Sequence, residues 1–384
     1  MIGLQDAGRD EGLSYNLHPC HGLARRAGPR EASGQETCRF QGNFVDFATP
    51  DSPRIKPICA KFDNFRADMA VYTQVPTESL VAFLARYDVG ELVSAKGIAE
   101  GVENSNYLVD TTAGRYILTL YEKRVAAGDL PFFMALLDHL AARGLAVPPA
   151  VKDRDGRAIQ ELEGRPACLI RFLPGVSVTR PTPAQALAAG RALSELHRAV
   201  IGFPLTRENS MGVASWGPLF ERCGRSLDQI APGLHDAIGF ALERVLTDWP
   251  DSYGQRTTIH ADLFPDNVLM RGDAVTGLID FYFACTDLRA YDLAVTHTAW
   301  SFDPSGVTYN AAVGDALMHG YQQGSALSGH ERRGFAILAA GACLRFTLSR
   351  AWDWLNTPAD ALVTRKDPLA YWRRLATYAP ELVR

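Results

Sequence analysis

Thr258-Ile-His260-Ala-Asp262-Leu-Phe-Pro-Asp266-Asn267-Val-Leu-Met270, followed by Gly277-Leu-Ile-Asp280-Phe281, carries the strongest signal in the chain. It sets Asp262 and Asn267 five residues apart, then a short apolar run, a turn at Gly272-Asp273, a second apolar run and a further Asp. Val268–Met270 and Thr276–Ile279 read as two strands of a hairpin whose open end brings Asn267 and Asp280 together. D-x-x-x-x-N with a downstream Asp before Phe is the layout of a phosphoryl-transfer loop. That reaction needs an in-line nucleophile and cations to neutralise phosphate oxygens. Mg2+ takes hard oxygen ligands, which the Asn267 amide and the Asp280 carboxylate supply. Asp262 is left to orient the attacking hydroxyl and accept its proton. His260 reads as a brace for the loop, and Asp266 as a turn residue. A bare D-x-x-x-x-N arises often by chance; the full set, with His two before Asp262 and Ile-Asp-Phe after the hairpin, carries the reading.

Upstream, Thr77-Glu-Ser-Leu80 opens a helix with Leu80, Phe83, Leu84 and Tyr87 on one face. Asn106–Asp110 and Arg115–Tyr121 form a hairpin around Gly114, and Leu130–Arg143 reads as a helix ended by Gly144. Asp155-Gly156 reads as a further hairpin turn, Ala167–Leu173 as the last strand, and Pro174-Gly175 as its punctuation. Downstream the pattern turns helical: Pro183–Val200 behind Thr182, then about 215–249, 307–326 and 332 to the end. Strands first and helices after predict an α+β protein with two lobes, 69–170 and 171–384. Residues 1–68 show no sustained period and read as a disordered extension, with Met69 a candidate start.

The chain has 384 residues, 39 basic and 43 acidic, for a net charge of −4. That balance gives no electrostatic reason to bind nucleic acid or a membrane surface. No apolar run reads as a bilayer span and no secretion signal is visible. Seven cysteines without a CxxC pair argue against a zinc site and fit reduced thiols in a cytoplasmic protein.

HADLFPDNVL with LIDF resembles the aminoglycoside phosphotransferase and choline kinase-like superfamily, and four longer segments look like its bacterial homoserine kinases. These are MAVYTQVPTESL, EGVENSNYLVDTTAGRYILTLYEKR, LPFFMALLDHLAARGLAVPPAV and DFYFACTDLRAYDLAVTHTAWSFD. The resemblance covers 69–384. It implies a protein-kinase-like fold, with a small β-rich N-lobe and a larger, mostly helical C-lobe. It further implies ATP and Mg2+ as cofactors and L-homoserine as the acceptor, on the route to threonine. By position, Asp262 matches the catalytic aspartate, and Asn267 and Asp280 the metal ligands. Glu100–Asn106 takes the place of the phosphate loop, so Asn104, Ser105 and Asn106 are nucleotide-binding candidates. Leu169–Gly175 takes the place of the interlobe hinge, with Ile170 and Phe172 beside adenine. His197 reads as structural. The chain departs from the pattern at Thr119, where kinase-like folds place a strand lysine; Lys96, Arg115, Lys123 and Arg124 are the cations nearest in sequence.

The residues alone give a hydroxyl kinase; homoserine comes from the resemblance. An amino-acid acceptor needs a basic and an acidic partner. Asp287, Arg289 and Asp303 are the candidates after Asp280, and Arg345 is one more in the helical part. Phe281, Tyr282, Phe283, Trp300, Phe302, Trp352 and Trp354 either cage a choline-like cation or fill the core. A choline, ethanolamine or aminoglycoside kinase, and a nucleotide-binding pseudokinase that lacks the strand lysine, therefore stay open. The oligomeric state is not legible.

Overall fold

The computed structural model describes residues 73–98, 104–122, 126–250, 254–357 and 365–383. The expected extension over 1–68, most of the phosphate loop at 100–103, and Lys123 and Arg124 lie outside these residues.

The N-terminal part is built on strand alternation. Helix α1 (Thr77–Leu84) precedes an antiparallel sheet in the order β1-β2-β3-β5-β4. Its strands are β1 (Leu92–Ile98), β2 (Asn104–Thr111), β3 (Gly114–Tyr121), β4 (Gln160–Leu162) and β5 (Arg165–Arg171). Successive side chains of a strand point to opposite faces. Leu118, Leu120, Ala167 and Leu169 therefore pack with Leu80, Phe83 and Leu84 of α1. Their neighbours Tyr121, Cys168 and Ile170 turn the other way and join the core shared with the helical lobe. Helix α2 (Leu130–Ala142) buries Phe133, Leu136, Leu137 and Leu140, and Gly144 at φ +83° ends it in the left-handed region. Asp155-Gly156 does not turn a hairpin: it closes a local loop in which Asp153 N–H donates to the Arg157 carbonyl at 2.9 Å. The β4–β5 turn is Glu163-Gly164, both at positive φ (52° and 68°), as tight hairpins of that hand require.

The C-terminal part is mostly helical, giving the two-lobed kinase-like α+β fold. Thr182 and Gln185 form a capping box that starts α3 (Pro183–Ala199). Helices α4 (Val213–Cys223) and α5 (Leu234–Thr247) follow. Strand β6 (Arg256–Ile259) leads into the hairpin of β7 (Val268–Arg271) and β8 (Ala274–Leu278), and β9 (Cys285–Leu288) pairs back onto β6. Then come α6 (Arg289–Trp300), α7 (Ala311–Gly324), α8 (Gly329–Asn356) and α9 (Leu369–Tyr378). Helix α6 escapes sequence reading because every residue from Ala290 to Trp300 is buried, so no polar stripe marks a period. Helix α8 is, by length and composition, apolar enough to cross a bilayer, contrary to the sequence reading; 67% of the relevant window is buried inside the protein.

Helices α3 and α7 cross at backbone contact. A Cβ on Gly190 would strike the Leu317 carbonyl, and one on Gly320 the Leu187 carbonyl. Gly320→Ala is expected to cost about 1–3 kcal/mol in equilibrium urea unfolding. The gain in helix propensity, about 1 kcal/mol, is outweighed because the obstacle is backbone. Unchanged or raised stability would show that the helices slide apart freely.

Candidate active site

The β7–β8 hairpin and the loop before it form one bonded unit. Val268 pairs with Leu278, and Ile279 N–H donates to the Asn267 carbonyl at 3.0 Å, which puts Asn267 beside the approach to Asp280. The Asn267 amide nitrogen donates to the Asp262 carbonyl at 2.8 Å and lies 3.3 Å from Asp262 Oδ2. With its nitrogen so used, the amide offers its oxygen outward. Asp280 sits at φ +65°, a conformation that L-residues enter at a cost of about 1–2 kcal/mol. Ala261, just before Asp262, is held at φ +63°. Of the three non-glycine residues at positive φ among the described residues, two therefore flank the site, as stored backbone strain often does.

What holds Ala261 is Asp292, a fully buried residue of α6. Its Oδ1 accepts from Ala261 N–H at 2.7 Å, and its Oδ2 from His260 N–H at 2.8 Å and from His197 Nε2 at 3.0 Å. His197 is fixed in turn by Tyr321 at 2.8 Å. Burial pushes the Asp292 carboxyl up, but the His197 contact and the backbone donors overcome it, so its pKa lies below the ordinary carboxylate value. His260 ties the loop to the segment before Asp280: Nε2 donates to the Ile279 carbonyl at 3.0 Å, and Nδ1 faces Asp262 N–H at 3.3 Å. That pattern requires the neutral ring with its proton on Nε2, and burial lowers the His260 pKa in the same direction. Trp300 Nε1 anchors the far side by donating to the Leu263 carbonyl at 3.0 Å. Asp262 is raised above the ordinary value by burial, against the opposing charge of Arg345, whose Nη1 is 3.6 Å from Asp262 Oδ1.

The nucleotide candidates divide by strand face. Asn106 shares a face with Thr119, whose hydroxyl donates to Asn106 Oδ1 at 2.8 Å; Asn104 alternates onto the same face. Ser105 faces the other way, donating to Glu122 at 2.7 Å and accepting from Thr73 N–H at 3.0 Å. Thr119 is buried, and of the candidate cations Lys96 is exposed while Arg115 pairs with Asp110 at 2.6 Å and lies 5.4 Å over the Phe172 ring. Ile170 is the last-but-one residue of β5, and Phe172 follows the strand.

The three acceptor candidates have other partners. Asp287 accepts from Asn209 at 2.7 Å and from Leu288 N–H at 2.8 Å. Arg289 makes a two-pronged pair with Glu331 at 2.7 and 2.8 Å. Asp303 caps a turn through Ser305 at 2.5 Å and Thr308 N–H at 2.8 Å. None of these printed partners belongs to the Asp262–Asn267 unit, although the three residues follow Asp280 closely along β9 and α6. Phe281, Trp300 and Phe302 are buried in the core, so they do not offer an open cage. Asp292 had no sequence signal as a site residue: an Asp inside an apolar helix tells that it is paired, not with what.

Residues 94–334 match the model of the phosphotransferase enzyme family. The chain belongs to that family. Within the phosphotransferases it stands among the homoserine kinases: that of Methylobacterium sp. (strain 4-46) is 54% identical over 309 residues, 80% of this chain and 95% of the relative. The homoserine kinase of Gluconobacter oxydans (strain 621H) is 51% identical, over 80% of this chain and 97% of the relative. Among solved phosphotransferase structures, amicoumacin kinase hAmiN in complex with AMP-PNP, Ca2+ and Ami aligns with a TM-score of 0.60 at 14% identity, covering 80% of this chain and 92% of that one. A choline/ethanolamine kinase family protein from Mesorhizobium loti aligns with a TM-score of 0.53 at 20% identity, covering 80% and 94%. Those distant likenesses speak for the shared fold.

Asp292→Asn is expected to destabilise the protein by about 1–3 kcal/mol, since an amide NH2 turned toward backbone donors leaves one of them unpaired. The native carboxylate's contribution is present above the ordinary unfolded pKa, about 3.9, and is lost as pH falls through the lower folded value. Denaturation followed from pH 7 downward should therefore show the variant starting lower and losing less on acidification. Parallel curves would mean that Asp292 does not stabilise the loop as an anion.

Proposed function

We propose that this chain transfers the γ-phosphoryl group of ATP to the side-chain hydroxyl of L-homoserine, giving O-phospho-L-homoserine on the route to threonine. The observation that carries the reading is the bonded unit of Asp262, Asn267 and the Asp280 approach. It lies in a chain about half identical to homoserine kinases over most of its length. Asp262 orients the acceptor hydroxyl and takes its proton as the oxygen attacks phosphorus in line. Asn267 Oδ1 and the Asp280 carboxylate are proposed to hold Mg2+. Among the described residues no group of three His, Cys, Asp or Glu is arranged for a metal. Two hard oxygens suit Mg2+, which completes its shell with water and phosphate oxygens and, when bound, neutralises the charge developing on the transferred group.

The lobe over 69–170 is assigned to ATP and that over 171–384 to catalysis and the acceptor. Asn104 and Asn106 face the nucleotide side of β2, and the backbone around Ile170 and Phe172 serves adenine. Ser105 supports that strand from behind through Glu122. Asp287, Arg289 and Asp303 keep structural roles through the partners already described. The four described cysteines are unpaired and buried, which agrees with a reducing cytoplasm.

ADP release with Mg2+-ATP should be seen with L-homoserine, and not with choline, ethanolamine or an aminoglycoside. Asp262→Asn should lower kcat by roughly 10^2–10^4-fold, with ATP affinity kept. Because burial raises the Asp262 pKa, its catalytic anion is lost at a higher pH than an ordinary aspartate's. The acid limb of kcat/KM should therefore lie above about 3.9. Turnover of choline alone would overturn the acceptor, and full activity of the Asn variant would overturn the base.

A further inference from the structure

Arg345 is the least balanced charge near the site. It projects from α8, is 3% exposed, and its Nη1 has no hydrogen-bond partner among the described residues. The 3.6 Å to Asp262 Oδ1 is within ion-pair reach but too long for a hydrogen bond. Aromatic faces hold the guanidinium in place, with Phe346 at 3.8 Å and Phe283 at 5.3 Å. Two more arginines stand close by. Arg350 and Arg374 lie 4.6 and 4.2 Å from the Tyr371 ring, which itself packs on Phe346. Both donate to neutral carbonyls: Arg350 to Asp367, Arg374 to Thr298 and Asp303. Burial lowers the Arg350 pKa, and the charges of Arg374 and Arg345 press the same way. Among the described residues, the one carboxylate paired with any of these three arginines is Asp262.

Guanidiniums with a single carboxylate partner among them are costly where they are buried, as Arg345 and Arg374 are, because a buried guanidinium needs both charge compensation and hydrogen bonds. A ligand carboxylate supplies both, and the planar fork suits it. We propose that Arg345 receives the carboxylate of the acceptor while Asp262 holds its hydroxyl, so that the site selects hydroxy acids and rejects cationic alcohols. This deepens the homoserine reading and rests on it. A four-carbon hydroxy acid spans about 5 Å from hydroxyl oxygen to carboxyl carbon, which fits two partners standing side by side. The surplus positive field of Arg350 and Arg374 repels choline and aminoglycosides, and so adds discrimination without contact.

The test compares L-homoserine with 3-amino-1-propanol, which keeps the hydroxyl and ammonium and has hydrogen in place of the carboxylate. The wild type should prefer homoserine by on the order of 100-fold in kcat/KM. Arg345→Gln should lower kcat/KM for homoserine by about the same factor beyond whatever it costs 3-amino-1-propanol through Asp262, the excess falling mostly in KM, so that the wild-type preference collapses toward one. Arg345→Lys, which keeps the charge but loses the fork, should fall between the two and carries the same comparison if the Gln variant does not fold. An equal loss on both acceptors would overturn the proposal and assign Arg345 to Asp262 or to the γ-phosphate instead. A wild type that ignored homoserine but used another hydroxy acid, such as 4-hydroxybutanoate, would sink the acceptor reading alone, and the ratio is then measured on that acid. Turnover of cationic alcohols only would overturn both.

Discussion

The Asp292 carboxylate is fully buried, and both of its oxygens are engaged by the segment that leads into Asp262. The proposed catalytic residues hang from that contact. Ala261 sits in a left-handed conformation that an L-residue does not choose freely, and an acceptor oxygen at 2.7 Å from its N–H offsets the strain. The carboxylate belongs to α6, the most deeply buried helix, so the loop is referenced to the core and not to the surface. His260 extends the same chain of bonds to Ile279, and Ile279 to Asn267. Base and metal-ligand candidates are thus positioned from one origin. Displacing any member of such a constellation by about 1 Å costs on the order of 10^2 in rate.

The second constraint is the pleat of the N-terminal sheet. Leu118 and Leu120 must face α1, so Thr119 and Tyr121 must face the C-terminal lobe. Tyr121 meets Tyr282 there at 3.1 Å, across the boundary between the lobes and two residues past Asp280. A one-residue slip of β3 would bring leucines into this contact and polar groups into the core. The same parity decides the nucleotide candidates: Asn104 and Asn106 share the face of Thr119, and Ser105 cannot. Thr119, where the resemblance led to the expectation of a lysine, is buried and donates to the Asn106 amide oxygen, so it brings no charge there.

These two constraints explain what the sequence disclosed and what it hid. The β7–β8 hairpin was legible because both its turn and its strands are local, and the amphipathic α1 and α2 because each has one wet face. Helix α6 was not, since a segment buried on all sides has no period to read, and the partners of its polar residues lie far away along the chain; β6 and β9, four residues each, are too short to show one. Asp292 meets groups 31 and 95 residues distant. Asp287, Arg289 and Asp303 illustrate the converse. Nearness in sequence to Asp280 suggested a shared site, while the fold turns them to Asn209, Glu331 and their own turn.

Asp262 and Asp292 show how one side-chain type takes two tasks within 30 residues. Burial pushes both carboxyls upward. Asp292 receives backbone and imidazole donors that prefer the anion, and it ends below the ordinary range. Asp262 is faced at a distance by Arg345 and is not fully repaid, so it stays above that range. A carboxylate saturated with donors is a fixed anchor and a poor base; one left short of them retains affinity for a proton. The difference lies in donor supply and not in depth. The incomplete pairing at Asp262 therefore supports its proposed role of taking the acceptor's proton, and the proposed anion contact at Arg345 rests on the same geometry.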